Sequence, residues 1–411
     1  MRQSQLFGHT TKQDPKDEVS ANAKLLVRAG FIDKVGAGIY SYLPLGIRVI
    51  QKISDTVRRA MNSLGGQELL MPALHPKEYW EATGRWDSFD VLYRLKARED
   101  REFALGPTHE EILTPLAAKF ISSYKDLPLA LYQIQTKFRD EPRVKSGVLR
   151  GREFLMKDMY SFHTSGEDLQ VYYEKVKDGY QKLFESFGLL AYCAEATGGT
   201  FSKYSHEFQV LTLSGEDAIF YCTHCAYARN KEIIDEIGDT SHCPRCGHAF
   251  SQGLMSEVGN IFNLGTKFSD KCNLHYTDES GEKHLILMGC YGIGISRLMG
   301  VLSEVFHDDD GILWPESVAP YAVHLVTLGG DTSVIRAGEE MYWSLQNAGI
   351  EVLFDERSVS SGEKLKDADL IGLPLRLVIS EKTNGQVEMK YRNQKNVSFA
   401  ARDEVLKKLV K

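Results

Sequence analysis

No stretch of this 411-residue sequence stays apolar for the ~20 residues that a bilayer-crossing helix needs. The opening Met1-Arg2-Gln3-Ser4-Gln5 lacks the apolar core of a secretory leader, so a cytoplasmic protein is expected. Positive charge is not in excess either. Against 56 acidic side chains stand 49 basic ones, a net −7, which argues against a general nucleic-acid coat and leaves local basic patches open. Internal repeats and low-complexity runs are absent. Gly292-Ile-Gly294 has neither the further glycine of a dinucleotide fingerprint nor the Lys-Ser/Thr of a P-loop. What is present describes a soluble globular chain, 43% apolar and 26% charged. Its length exceeds one ordinary core, so two or three domains are expected.

Seven cysteines in such a chain are not a disulfide framework. Four of them form two C-x-x-C knuckles, Cys222/Cys225 and Cys243/Cys246, with 17 residues between. Two thiolates at i and i+3 fill half a tetrahedron and the second pair completes it, so a closed structural zinc site is expected. Four thiolates leave no open position for catalysis. His224, His242 and His248 could replace a thiolate, but their placement reads better as solvated loop histidines. Arg229, Lys231 and Arg245 suit phosphate contact nearby, and Asp235, Glu236 and Asp239 offset them.

Period then divides the chain. Ile47, Ile50, Ile53, Val57, Met61 and Leu64 make a helical stripe, stopped by Gly65-Gly66, with a strand at 68–72. Residues 133–141 alternate with one unusually polar face and pair across a long basic loop with a strand at 153–162, giving an antiparallel hairpin. Helical spacing returns over 167–187. A short strand at 285–288 leads through glycines into a helix that opens near Arg297. After Trp314-Pro315, strands and helices alternate, predicting a separate α/β domain with a mostly parallel sheet over 318–411.

Phe138-Arg139-Asp140-Glu141 carries the most chemistry. In an extended strand Arg139 and Glu141 share a face, where a guanidinium grips phosphate bidentately and a carboxylate accepts from an exocyclic amine. Across 137–157 seven basic residues, Lys145, Arg150 and Arg152 among them, meet three acidic ones, a local +4. The alternative is a solvated hairpin tip.

These elements, in this order, resemble the three signature motifs of class II aminoacyl-tRNA synthetases. Gly106-Pro-Thr-His-Glu-Glu111, Arg152-Glu-Phe-Leu-Met-Lys-Asp158, Ser205-His-Glu-Phe208, Met288-Gly-Cys-Tyr-Gly-Ile-Gly294 and Asp369-Leu-Ile-Gly372 narrow the resemblance to the bacterial-type prolyl-tRNA synthetase family. The resemblance implies an α+β catalytic domain built on an antiparallel sheet, in two parts over 1–219 and 253–316. A zinc-ribbon-like insertion at 220–252 and a C-terminal α/β anticodon-binding domain at 318–411 complete the chain. It also implies a homodimer whose interface uses 45–72.

By the same resemblance, Arg139 and Arg297 are catalytic, and ATP is held by Arg139, Glu141, Arg150, Phe154 and Arg297. Proline is held by Thr108, Glu110, Arg139, His206 and Cys290, and Glu207 helps hold Mg2+. Thr108 and Glu110 have a second reading as the cap of the following helix, and Cys290 one as core filler. The implied partners are proline tRNA, ATP and L-proline, with no membrane partner.

Two departures stand out. Met288 follows His206 by only 82 residues, leaving no room for the family's large editing domain, so any editing of mischarged tRNA would fall to a free-standing factor in trans. Residues 198–204 run longer than the family spacing, so Thr200 and Ser202 receive no role. Two rival readings remain at this level: a paralogue adenylating an amino acid for a non-tRNA acceptor, and an inactive zinc-ribbon regulator.

Overall fold

The computed structural model describes residues 1–144, 146–199, 204–236 and 241–410; Lys145, Thr200, Ser202 and Asp239 lie outside them. The chain forms two compact units. One comprises Met1–Val35, Tyr40–Lys52 and Leu302–Lys411, the other Gly36–Ile39 and Ile53–Val301.

The second unit is built on a nine-stranded sheet. Its strands are Gln67–Glu68 (β1), Leu129–Phe138 (β2), Glu153–His163 (β3), Ala191–Thr197 (β4), Tyr204–Leu211 (β5), Asp217–Tyr221 (β6), Ala228–Asn230 (β7), Ser251–Gly265 (β8) and Leu287–Gly294 (β9). The spatial order is β5-β4-β7-β6-β8-β9-β3-β2-β1, and β5 also pairs with β8. Strands β4 to β8 therefore close a circuit around Tyr192, Ala194, Ile219, Ala228 and Met255. The expected β2–β3 hairpin is present, antiparallel from Leu129↔Phe162 to Phe138↔Glu153. The strand expected at 68–72 is only the two residues of β1; the Leu69 amide still donates to the Tyr132 carbonyl at 2.9 Å, and past it the chain leaves the sheet toward Pro72.

The glycine segment also differs from expectation. The strand expected at 285–288 runs on to Gly294, so Gly289, Gly292 and Gly294 lie within β9, and the helix Ile295–Val305 follows directly. Gly292 packs closely on its neighbour: a Cβ there would come within 2.6 Å of Asn260 Oδ1 and push that side chain aside.

Alternation decides what each face of the sheet carries. The helix Gly166–Ser186 covers one face, its Tyr180 and Phe184 packing on Phe208. The other face carries Tyr160, Phe162, Phe262, Met288 and Cys290, packed with Leu113 and Ala117 of the helix Glu110–Ala117. Of the predicted stripe on the helix Pro44–Ser63, Ile50, Ile53, Val57 and Met61 are buried, whereas Ile47 is exposed.

The C-terminal part of the first unit holds a five-stranded sheet of Val323–Leu328 (β10), Val352–Asp355 (β11), Leu375–Ser380 (β12), Val387–Tyr391 (β13) and Ser398–Ala400 (β14), in order β11-β10-β12-β13-β14. The helices Thr332–Asn347 and Ser361–Ile371 lie between strands, in keeping with the expected alternation. The sheet is mixed and not mostly parallel. Helical crossovers make the β10–β11 and β10–β12 pairings parallel, while short connections make β12–β13 and β13–β14 antiparallel. Among the described residues no helix is long and apolar enough to cross a membrane.

Candidate active site

The site face of the sheet ends in a polar cleft lined by Arg139, Glu141, Arg150, Asp217, Glu257 and Arg297. Arg139 and Glu141 reach it by a route the alternation did not foresee. Strand β2 stops at Phe138, and the Glu141 amide turns back to the Arg139 carbonyl at 2.8 Å. The Arg139 guanidinium lies over the Phe154 ring, 5.1 Å from its centroid. Its Nε is buried without a hydrogen-bond partner, and Nη2 makes one long contact to the Pro107 carbonyl at 3.5 Å. Burial and the Arg297 guanidinium both work against its charge. Such a cation calls for an anion from outside the chain.

Arg150 donates to Glu141 Oε2 through Nε at 3.0 Å and Nη2 at 2.8 Å, and to Glu216 through Nη1 at 2.8 Å. It thereby ties the end of the basic loop to the cleft rim. Arg297 is fixed by the Leu149 carbonyl at 2.7 Å and by Glu257 Oε2 at 3.1 Å.

Beside Arg139 sits the turn Thr108-His109-Glu110. The Thr108 hydroxyl donates to Glu110 Oε2 at 2.5 Å and the Cys290 thiol to Glu110 Oε1 at 3.3 Å. His109, not Thr108, is the N-cap residue of the helix, and no side chain caps it, so the capping alternative for Thr108 does not hold. Arg85 supports the pair of carboxylates from below, 2.7 Å from Glu111 and 3.8 Å from Glu110. Burial, opposed by Arg85, leaves the Glu111 carboxyl pushed up to about 7.

The polar face of β2 turns inward, where solvent was the alternative. Gln133 and Lys137 are fully buried. Asp158 of β3 collects Lys137 Nζ at 2.7 Å, Gln133 Nε2 at 3.0 Å and the Tyr160 hydroxyl at 3.0 Å. Lys137 Nζ also lies 2.6 Å from His109 Nδ1, and the His109 amide donates to the Tyr160 oxygen at 3.1 Å. This buried network anchors the turn that presents Thr108 and Glu110. Its members carried one sequence signal, the i, i+2, i+4 spacing of Gln133, Gln135 and Lys137. Glu257 and Asp217 carried none, because the strands bearing them meet the cleft through distant pairings.

His206 and Glu207 illustrate the alternation. Ser205 and Cys290 both register with Phe262, whereas His206 registers with Ile261, opposite Tyr291. His206 therefore turns to the helix-covered face, its Nδ1 2.7 Å from the Tyr173 hydroxyl. The structure does not bring it to Glu110 and Cys290. Glu207 does face the site, taking Gln209 Nε2 at 2.9 Å and Asn230 Nδ2 at 3.3 Å. Burial, then the neighbouring Glu257 carboxylate, pushes Glu207 up to about 8.

The four knuckle cysteines converge, with Cys222 and Cys246 sulfurs 3.5 Å apart and Cys225 and Cys243 likewise. A tetrahedron with zinc–sulfur bonds of ~2.3 Å has edges of ~3.8 Å, so the sulfurs fit such an ion. Its flanking strands β6 and β7 belong to the main sheet.

A family model described as the class II tRNA synthetase core domain (G, H, P, S and T) matches residues 93–306, and an anticodon binding domain model matches 322–411. Proline–tRNA ligase of Dehalococcoides mccartyi (strain CBDB1) is 34% identical across all of this chain and 98% of that relative. Its counterpart in Geobacter metallireducens is 35% identical over 97% of this chain and 96% of its own length. The first alignment spans 560 positions against 411 residues here, so at least 149 positions of it have no counterpart in this chain. The prolyl-tRNA synthetase of Giardia lamblia, solved with prolyl-adenylate, superposes with a TM-score of 0.76 at 20% identity, covering 93% of this chain and 74% of that one. That likeness shows a shared fold. On the full-length identity and the two family matches together, the chain belongs to the prolyl-tRNA synthetases, the proline–tRNA ligases of class II, in a form without the large editing insertion.

Proposed function

We propose that the cleft joins proline to ATP through Arg139, with Thr108, Glu110 and Cys290 holding the amino acid and Glu141, Arg150, Phe154 and Arg297 holding the nucleotide. The observation that carries this assignment is the Arg139 guanidinium, buried at Nε without a partner between the Glu110 turn and the Phe154 ring. The Glu110 carboxylate, aligned by Thr108 and Cys290, takes the secondary ammonium of proline. Adenine stacks on Phe154 and gives its amine to Glu141, and Arg297 meets the γ-phosphate.

The proline carboxylate oxygen then bonds to the α-phosphorus as the bond to the bridging oxygen breaks and pyrophosphate leaves. No protein nucleophile takes part. Arg139 stabilises the charge that builds on the α-phosphoryl oxygens, and the rest of the site positions the reactants. In the second step a ribose hydroxyl at the 3′ end of proline tRNA attacks the acyl carbon and AMP departs.

Glu207 with Glu257 and Asp217 would hold Mg2+; hard carboxylate oxygens suit it, and it supplies charge neutralisation for the phosphates. The four cysteines hold a structural Zn2+ that closes the loop between β6, β7 and β8. The protein acts in the cytoplasm as a homodimer whose interface uses 45–72, where Leu70 is exposed, and mischarged tRNA is cleared by a separate factor. His206 is left out of the proline pocket because it faces the opposite side of the sheet.

The test is Arg139→Ala. Loss of one transition-state donor lowers proline-dependent ATP–pyrophosphate exchange by ~10²–10³-fold. Unchanged exchange rejects the assignment.

A further inference from the structure

The glycines of Gly292-Ile-Gly294 lie on one face of β9, two residues apart. Gly292 registers with Asn260 of β8 on one side and with Asp158 of β3 on the other. With neighbouring strands ~4.8 Å apart, those flanking residues stand ~10 Å from each other over a floor that carries no side chain. The gap admits a five-membered sugar ring. Arg139, Phe154 and Arg297 line the same cavity as Asn260, Gly292 and Gly294.

The Asn260 amide is oriented by its neighbour. Its Nδ2 donates to Glu257 Oε1 at 2.7 Å, while Arg297 Nη1 lies 3.1 Å from Glu257 Oε2. A carboxylate accepts hydrogen bonds and does not donate them, so the amide nitrogen is the atom that faces it. Oδ1 is thereby turned over Gly292, where a Cβ would come within 2.6 Å of it. Among the described residues the Nδ2 contact is this side chain's one hydrogen bond, so Oδ1 presents an unused acceptor to the cleft.

We propose that Asn260 Oδ1 accepts a hydrogen bond from a ribose hydroxyl of ATP and so selects ribonucleotides over deoxynucleotides. The inference rests on the nucleotide assignment made above. An acceptor calls for a donor, and the reactants of the first step bring few: the proline ammonium, the adenine amine and the ribose hydroxyls. The ammonium goes to Glu110 and the amine to Glu141, which leaves the hydroxyls. Position agrees with this elimination. The ribose joins an adenine stacked on Phe154 to an α-phosphate held by Arg139, and Asn260 shares one cavity with both residues. A side chain at position 292 would occupy the sugar's space and push the acceptor aside, which gives that glycine a role in the site.

The test uses the full chain in proline-dependent ATP–pyrophosphate exchange with ATP, 2′-deoxy-ATP and 3′-deoxy-ATP, before and after Asn260→Ala. One neutral hydrogen bond corresponds to a change of about 3–10-fold in kcat/KM. The unchanged protein is expected to favour ATP over one of the deoxynucleotides by that factor. Asn260→Ala is expected to lose the same factor with ATP and nothing with that deoxynucleotide, and to leave the KM for proline as it was. An equal loss with all three nucleotides overturns the proposal, because it makes Asn260 a support for Glu257 alone. Unaffected exchange with slower transfer to tRNA also overturns it, and moves the contact to the terminal ribose of the tRNA. Equal kcat/KM for the three nucleotides in the unchanged protein overturns it without any variant. Thermal unfolding checks that Asn260→Ala folds; if it does not, Asn260→Ser, which is too short to reach the sugar, enters the same comparison. The nucleotide assignment itself stands or falls separately, on exchange with ATP that Arg139→Ala removes.

Discussion

Lys137→Met tests whether the buried network under the Thr108–Glu110 turn holds the site. The side chains are near in volume, so packing is kept while the charge and its contacts to Asp158 and His109 are removed. Lys137 is fully buried and Asp158 nearly so. Removing one partner of such a pair costs about 3–5 kcal/mol, because the other is left uncompensated. For a unit of this size that lowers the melting temperature by roughly 6–20 °C. The pH dependence identifies the cause. In the unchanged protein burial pushes Asp158 up, but Lys137 and His109 pull it below the ordinary carboxylate range. Without the lysine, burial prevails and the folded carboxyl titrates above its unfolded value. The variant then gains stability from a proton on Asp158 at low pH and loses it as pH rises through the raised value. Urea midpoints measured across pH therefore lie closest to the unchanged protein at the acid end and separate toward neutrality. A difference that is constant with pH, or a melting temperature within about 2 °C of the unchanged protein, refutes the reasoning.

At Glu207, a carboxyl pushed up to about 8 by burial and Glu257 holds a proton at neutrality that a cation must displace. Mg2+ affinity accordingly rises with pH through about 8 and releases a proton, which titration calorimetry in buffers of different ionisation enthalpy detects; Glu207→Gln flattens the profile. Gly46→Ala places a Cβ 2.1 Å from the Phe31 carbonyl oxygen, which is backbone and cannot swing aside. A destabilisation of about 3 kcal/mol, the upper end of overpacking, is expected in thermal unfolding. Alanyl-tRNA for proline is expected to persist with the pure protein at the rate of the uncatalysed control, measured by deacylation of labelled tRNA.

Local patterning made much of the fold legible. The 3.6-residue spacing over 167–187 matches the observed Gly166–Ser186 closely. The β2–β3 hairpin follows from the period change at its basic loop. What escaped was set by partners far away in the chain. The sequence reading ends the strand at Met288, yet it runs on through Gly292 and Gly294, strand residues thinned for Asn260 and Arg297. His206 and Glu207 sit side by side in sequence and on opposite faces in space, which motif matching does not resolve and strand register does. The knuckle cysteines were legible from spacing, but not the membership of β6 and β7 in the main sheet, which depends on β4 and β8. The burial and pairing of Lys137 with Asp158 were not legible, since burial of a polar face requires a helix and loop supplied from elsewhere.

The strand order also sets a timetable for synthesis on the ribosome. Strand β3 can pair with β2 as soon as the hairpin emerges, but its other edge waits for β9, whose Leu287 lies 124 residues after His163. At translation rates of ~5–20 residues per second that edge stays unpaired for roughly 6–25 s. During this interval the nascent chain shows a row of open amides and carbonyls beside Phe162 and Tyr160, the kind of edge that recruits neighbours on a polysome. Chaperone binding should therefore peak on nascent chains that end between β3 and β9, and should fall once Gly294 has cleared the exit tunnel.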